Sequence, residues 1–272
     1  MNIPNLKLAD GKSIPQIGLG LWKVEDPKDL TLAFNTAIDA GYTLFDSAQI
    51  YKNEQFLGEA LKASKVKRSD LFITTKISVT NFGEKRTITS ASESLKKLGT
   101  DYVDLMLLHF PVPILRKKSW LALEKLKADG LFRSIGVSNY TIRHLEEMKS
   151  YASEMPVVNQ VELHVFLQQP ELIEYCKKEN IQLEAYSPLA HASSMDNKEI
   201  NNLAKKYSKT YAQIMLRFLN QLELVVIPKS ITPKRIKENI DIFDFELSAE
   251  DMDVLRGLDK DLRTCWNPTL VP

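Results

Sequence analysis

Several residues able to handle protons or charge stand at equivalent places in this 272-residue chain, each where a short apolar run turns polar. Leu44-Phe45 ends in Asp46, with Tyr51 a few residues on; Leu71-Phe72-Ile73-Thr74-Thr75 ends in Lys76; Leu105-Met106-Leu107-Leu108 ends in His109. If those runs are neighbouring parallel strands, a carboxylate, an ammonium and an imidazole reach one rim, with a phenol on the first loop. Convergence of that kind marks a functional site rather than scattered surface polarity. Lysine offers a second chemistry, Schiff-base formation, but that requires a depressed pKa and Asp46 would raise it. Other runs end in Ser138-Asn139, Asn159-Gln160 and Lys229-Ser230. No grouping of His, Cys, Asp and Glu has metal-ligand spacing, so no metal is expected.

Positioning these residues requires a repeated β/α frame, and the chain has one. Strand-like runs at 16–20, 42–45, 71–76, 102–109, 132–137, 157–161, 182–186 and 224–228 are apolar nearly throughout, as strands buried on both faces of a parallel sheet are. Helical stretches are expected at 53–64, 85–98, 118–129, 141–151, 170–179, 198–207 and 211–221. Gly99 and Gly130 sit where left-handed caps are wanted, and Pro170 where a helix opens. Eight such units over about 250 residues have the size of a (β/α)8 barrel, although a doubly wound open sheet alternates in the same way. Segments 6–8 and 13–16 flank Ala9-Asp10-Gly11-Lys12, an Asp-Gly hairpin turn that would plug the barrel bottom. Without a Pro/Gly/Ser-rich linker, the expectation is one domain spanning 1–272.

Composition narrows the partners. Lys+Arg 36 against Asp+Glu 35 is no polyanion-binding balance, so no nucleic-acid partner is expected. The runs 62–68 and Arg116-Lys117-Lys118 read as solvated faces. Cys176 and Cys265 are too few for a disulfide framework. No signal peptide or membrane-length apolar stretch is visible, and the expectation is a cytoplasmic monomer with no membrane partner.

Taken in order, the motifs resemble those of the aldo-keto reductases over nearly the whole chain. They are Gly18-Leu19-Gly20-Leu21-Trp22, Phe45-Asp46-Ser47-Ala48-Gln49-Ile50-Tyr51, Asn53-Glu54, Thr75-Lys76, Leu108-His109-Phe110-Pro111, Gly136-Val137-Ser138-Asn139, Asn159-Gln160-Val161-Glu162, Tyr186-Ser187-Pro188-Leu189 and Ile227-Pro228-Lys229-Ser230. The pattern is most similar to the short microbial branch of diketogluconate reductases and prostaglandin F synthase-like carbonyl reductases. The resemblance implies a TIM barrel with a C-terminal substrate-side tail and NADPH-dependent reduction of aldehydes and ketones. It implies Tyr51 as general acid, Lys76 and Asp46 as its ion-paired support, and His109 as the group orienting the carbonyl. An ammonium beside a phenol favours the tyrosinate and lowers its pKa. Ser138, Asn139 and Gln160 would hold the nicotinamide carboxamide, with Tyr186 stacked on the ring and Trp22, Asp46, Ser187 and Leu189 also at the cofactor. Lys229, Ser230 and Arg235, opening a helix-like run at 235–240, would grip a 2′-phosphate; Glu238 and Asn239 would contact adenine. The absent G-x-G-x-x-G does not count against dinucleotide binding in this family.

Each residue also has a plainer reading: Asp46 as a turn or helix cap, Tyr51 as a half-buried aromatic, His109 as a satisfied structural histidine. Lys76 is hardest to explain so, because its charge ends an apolar strand. Trp22, Phe110 and Trp266, with Tyr51 and His109, would line the substrate site, Trp266 from its place in the tail alone. Short loops at 110–118 and 190–197 and a short tail imply an open pocket and broad carbonyl specificity. Ser47 stands where Thr is usual and Phe110 where Trp is common, which bears on substrate choice. The alternatives are a non-catalytic NADP(H)-binding relative and a Schiff-base aldolase using Lys76.

Overall fold

The computed structural model describes residues 3–192 and 197–272. Residues 193–196, within the loop expected to be short, lie outside the described residues, as do Met1 and Asn2 of the N-terminal reading.

The chain starts with an antiparallel hairpin, β1 (Asn5–Lys7) and β2 (Ser13–Pro15), with Leu6 opposite Ile14 and Gly11 at φ 80° in the turn. Eight parallel strands follow, each paired to the next in the chain: β3 (Gly18–Gly20), β4 (Leu44–Asp46), β5 (Phe72–Ile77), β6 (Val103–Leu108), β7 (Phe132–Ser138), β8 (Val158–Glu162), β9 (Gln182–Tyr186) and β10 (Val225–Val226). Parallel bridges from Ile17 to Val226 and from Gly20 to Lys229 join the last strand to the first. That closure selects the (β/α)8 barrel over the open sheet. β10 is shorter than the apolar run containing it, and beyond it Pro228 has no N–H to add to the ladder.

Helices α1 (Pro27–Ala40), α2 (Glu54–Ala63), α3 (Glu84–Leu98), α4 (Arg116–Ala128), α5 (Ile142–Met148), α6 (Pro170–Lys178), α7 (Lys198–Tyr207) and α8 (Tyr211–Gln221) fill the connections. α9 (Pro233–Ile240) and α10 (Ala249–Arg256) follow β10. Two helices, α1 and α10, were absent from the expected set, though each has ordinary signals. α1 has Asp26 capping Lys28 N–H at 2.7 Å, Pro27 at its first position, a Leu30/Ala33/Phe34/Ala37 stripe and Gly41 at φ 100°. α9 opens at Pro233, so Arg235 lies inside its first turn rather than at its start.

Two apolar layers hold the frame. One lies between strands and helices; the other fills the barrel, where Leu44, Phe72, Leu105 and Val158 meet Leu8 and Ile14 of the hairpin. The hairpin therefore closes the mouth opposite the strand C-termini, and Ser134 Oγ donates to Asp10 Oδ2 at 2.7 Å to hold it there. Two of the cations expected on solvated faces are ion-paired instead, Arg68 half-buried and Arg116 buried. Arg68 is bonded to Asp104 at 2.7 Å, and buried Arg116 pairs with Glu147 and donates to Pro111 O at 3.0 Å. Both are tied to residues distant in sequence, which a local charge run does not reveal.

Gly58 on α2 packs directly on the end of α3: a Cβ there would stand 2.3 Å from Lys97 O. Helix propensity alone makes Gly58→Ala stabilising by about 1 kcal/mol. The close approach reverses the sign, and urea unfolding is expected to show a loss of about 1–3 kcal/mol. A gain in stability would show that the two helices can separate at no cost.

Candidate active site

Asp46 and Lys76 come from adjacent strands and point into the barrel one layer above its apolar filling. Lys76 Nζ lies 2.6 Å from Asp46 Oδ1, with side-chain exposures of 0% and 3%. A buried charge is tolerated only when paired, and breaking such a pair costs about 3–5 kcal/mol. Lys76 Nζ also donates to Ser47 O at 2.9 Å and to the Tyr51 hydroxyl at 3.3 Å.

Tyr51 ends a single 3-10 turn, Gln49–Tyr51, pinned on both sides. Gln49 Oε1 accepts from Ser78 N at 2.8 Å and Asn81 Nδ2 at 2.9 Å, while its Nε2 reaches Ser94 Oγ at 3.0 Å. Asn53 accepts from Ser47 Oγ at 2.7 Å and donates to Leu21 O at 2.9 Å, tying this loop to the segment bearing Trp22. Ser47, the departure from the usual Thr, is thus used to hold Asn53.

The electrostatics separate the roles. Burial opposes the Lys76 ammonium, but Asp46 and the other acidic groups around it hold its pKa above that of an ordinary lysine. A lysine so held is no amine nucleophile, which removes the Schiff-base reading. Burial pushes the Tyr51 phenol above its usual value, and Lys76 pulls it only partway back. The expected lowering is therefore present as a contribution and outweighed by burial, leaving Tyr51 a protonated acid. His109, its ring 5.7 Å from that of Tyr51, is pushed down to about 3 by burial and then by Lys76. It is a neutral imidazole at pH 7.

The remaining expected residues fall into two groups. On the rim, Ser138 and Asn139 end β7, with Asn139 in the left-handed region at φ 66°. Asn139 Nδ2 donates to His109 O at 3.1 Å, and its Oδ1 accepts from the Tyr186 hydroxyl at 2.8 Å. Gln160 Nε2 donates to Asp46 Oδ2 at 2.8 Å. Trp22 stands edge-on to His191 with centroids 5.3 Å apart, while Ser187 and Leu189 occupy the half-buried loop after β9. Phe110 meets Trp266 edge-on, centroids 6.1 Å apart, so the tail does bring Trp266 to the rim. In the second group, Lys229 and Ser230 precede α9, Arg235 lies in its first turn, and Glu238 and Asn239 lie in its last. There Lys229 and Arg235 are exposed and not ion-paired to any described carboxylate, and Ser230 Oγ accepts from Thr232 N at 3.1 Å.

Three features were not expected from sequence. Glu162, at the end of β8, anchors the tail by accepting from Thr264 N at 2.7 Å and Cys265 N at 3.2 Å. Cys265 Sγ lies 3.3 Å from His191 Nε2, which is 3.1 Å from Ser187 Oγ. Glu184, buried in mid-strand on β9, accepts from Gln160 Nε2 at 2.8 Å. Only Glu184 had a local signal, an acid between apolar Leu183 and Ala185 in mid-strand. A groove of about 750 Å³ between α2 and α3 is lined by none of the rim residues. No group of His, Cys, Asp and Glu suited to a metal occurs among the described residues.

Barrel and rim together place a tyrosine hydroxyl against a buried lysine–aspartate pair at the C-terminal mouth of a (β/α)8 barrel. Residues 16–260 match the model of the Aldo/keto reductase family. The glyoxal reductase of Bacillus subtilis is 47% identical over 97% of this chain and 95% of its own. Methylglyoxal reductase DkgA of Escherichia coli K12 is 43% identical over 97% of this chain and 96% of its own. The crystal structure of a Bombyx mori aldo-keto reductase in complex with NADP superposes with a TM-score of 0.91 at 34% identity, covering 97% of this chain and 95% of that one. The chain belongs to the aldo/keto reductase family. It is an oxidoreductase that converts carbonyl groups to alcohols.

The depressed pKa of His109 has a consequence for stability. Its ordinary value is near 6.5, so protons favour the unfolded chain below that pH, and stability is lost as pH falls from about 6.5 towards 3, by at most about 1.4 kcal/mol per pH unit. Denaturant titrations at stepped pH are expected to show His109→Gln losing less stability than wild type over that window. Parallel curves would place a charged His109 in the native state.

Proposed function

We propose that the chain reduces small aldehydes and ketones, α-dicarbonyls such as glyoxal and methylglyoxal among them, with Tyr51 giving its proton to the carbonyl oxygen. The observation that carries this reading is the relay at the open rim: Tyr51 hydroxyl to Lys76 Nζ at 3.3 Å, and Lys76 Nζ to Asp46 at 2.6 Å. The cofactor is NADP(H), which when bound supplies the hydride. As hydride reaches the carbonyl carbon, negative charge grows on oxygen, and a proton donor within reach neutralises it. Lys76 stabilises the tyrosinate left behind, and Asp46 keeps Lys76 charged. Neutral His109, free to donate from one ring nitrogen, orients the carbonyl.

The residues fit a nicotinamide dinucleotide. No described residue donates to Gln160 Oε1, and the Ser138 hydroxyl accepts from Asn139 Nδ2 at 3.0 Å with its own proton uncommitted. Together they offer an acceptor and a donor, the complement of a carboxamide. Tyr186 supplies the adjoining aromatic face. The unpaired Lys229 and Arg235, with Ser230, suit a 2′-phosphate, and Glu238 and Asn239 of α9 the adenine beside it. Trp22, Phe110 and Trp266 give the substrate an apolar wall open to solvent, which suits broad specificity.

We read residues 1–272 as one domain, its eight barrel strands paired in chain order, acting as a monomer. Cytoplasmic placement is supported by two free cysteines, Cys176 and Cys265. No described helix is long and apolar enough to cross a membrane.

With methylglyoxal and NADPH, Tyr51→Phe is expected to lower kcat about 10²–10⁴-fold while NADPH still quenches tryptophan fluorescence. An unimpaired variant would assign the proton to another group. Replacing Lys229 and Arg235 together by Ala is expected to weaken NADPH binding about 10–100-fold and NADH binding little. Equal loss for both cofactors would remove the phosphate from this site.

A further inference from the structure

The barrel interior holds one acid more than the proton relay uses. Glu184 is fully buried on β9, in register with Gln160 on β8 and Val225 on β10. Gln160 Nε2 stands 2.8 Å from Glu184 Oε2 and 2.8 Å from Asp46 Oδ2, so both amide hydrogens are spent bridging the two carboxyls. Glu184 Oε1 is buried with no hydrogen-bond partner among the described residues. The charged groups that face Glu184 are Asp46 from β4 and Lys76 from β5; its register neighbours on β8 and β10 carry no charge.

This is the setting of a neutral acid. An ionised carboxylate in a dry interior needs donors on both oxygens, and this one has a single donor on one. One ammonium also balances one carboxylate, and Asp46, 2.6 Å from Lys76, already takes that place. Burial, then the nearby Asp46, accordingly push the Glu184 carboxyl up to about 8.

We propose that Glu184 is a positioning residue for carbonyl reduction, acting as a neutral acid that fixes the Gln160 amide against Asp46, and that its ionisation slows proton delivery by Tyr51. The inference rests on the assignment of Tyr51 as proton donor. Neutral Glu184 leaves the amide nitrogen of Gln160 turned inward and its oxygen turned away from both carboxyls. Ionised Glu184 adds a second negative charge to the water-excluded layer. Lys76 and Tyr51 then hold their protons more tightly, and Tyr51 becomes a weaker acid.

Two measurements on wild type and Glu184→Gln test this. The first is kcat for NADPH-dependent methylglyoxal reduction against pH. The wild-type rate is expected to fall through an alkaline limb within about one pH unit of 8, and the variant's limb to lie at least one unit higher. The second is Tm against pH, which needs no turnover. A carboxyl whose folded pKa exceeds its unfolded value contributes its full stability below about pH 4.5 and loses it as pH rises to about 8. The Tm of wild type relative to Glu184→Gln is therefore expected to drop by several degrees between about pH 5 and pH 9. A constant Tm difference overturns the neutral acid. A falling difference with superimposable kcat profiles overturns the positioning role and leaves a structural acid. Absence of wild-type turnover with any carbonyl would instead overturn the reductase reading, while the Tm comparison still decides the protonation state.

Discussion

Everything at the rim depends on one buried ion pair. Lys76 and Asp46 are almost wholly removed from water, and neither charge could persist alone at that depth. Pairing them demands that β4 and β5 be neighbours in a register that sets both side chains on the inward face. The register obliges: Asp46 is opposite Thr74, two residues before Lys76, so both point into the barrel at successive levels. The ammonium then has one donor left for the backbone of Ser47 and one for the Tyr51 hydroxyl. The ion pair thus places the Tyr51 hydroxyl as well as acting on its acidity.

A buried pair gives no precision to a residue on a loop, and Tyr51 is on one. The structure supplies it through uncharged side chains. Gln49 spans from the 3-10 turn to the loop after β5 and to α3, and Asn53 spans to the loop after β3. Glu54, at the head of α2, accepts from Thr75 Oγ1 at 2.7 Å, immediately before Lys76. These bonds tie the loop to elements distant in the chain and fix its position against the strands beside it. On the opposite side Glu162 does the same for the tail, and the tail carries Trp266 to Phe110. Each half of the rim is held by buried polar groups, and the space between them is left for the reactants.

Much of this was legible in sequence because both signals are local. A strand buried on both faces reads as an unbroken apolar run, and a functional side chain reads as the polar residue that ends it. Asp46, Lys76 and His109 are such endings, and all three reach the same rim. Interior exceptions were harder to see. Glu184 is enclosed by Leu183 and Ala185, and attention to the ends of runs passes over it. Arg68 and Arg116 stand in basic stretches that look solvated; their partners Asp104 and Glu147 lie more than thirty residues away. The pKa of Tyr51 shows a third limit. The direction of the Lys76 influence follows from residue type, whereas the larger effect of burial follows from depth, which only the fold specifies.

Inward-facing positions along the strands show why the chemistry sits at this level. β4 passes from Leu44 to Asp46, β5 from Phe72 through Thr74 to Lys76, and β8 from Val158 to Gln160. The first members pack with Leu8 and Ile14 of the hairpin; the last form the buried Asp46–Lys76 pair and the Gln160 amide bonded to it. Apolar filling below excludes water, which strengthens every charge interaction in the layer above. Because side chains alternate along a strand, a slip of β5 by one residue would turn Thr75 inward and Lys76 towards the helices. Asp46 would then be an unpaired buried carboxylate, and the apolar layer would face the helices with the wrong side chains. The same alternation that folds the barrel therefore enforces the position of its ammonium, and stability and chemistry select a single register.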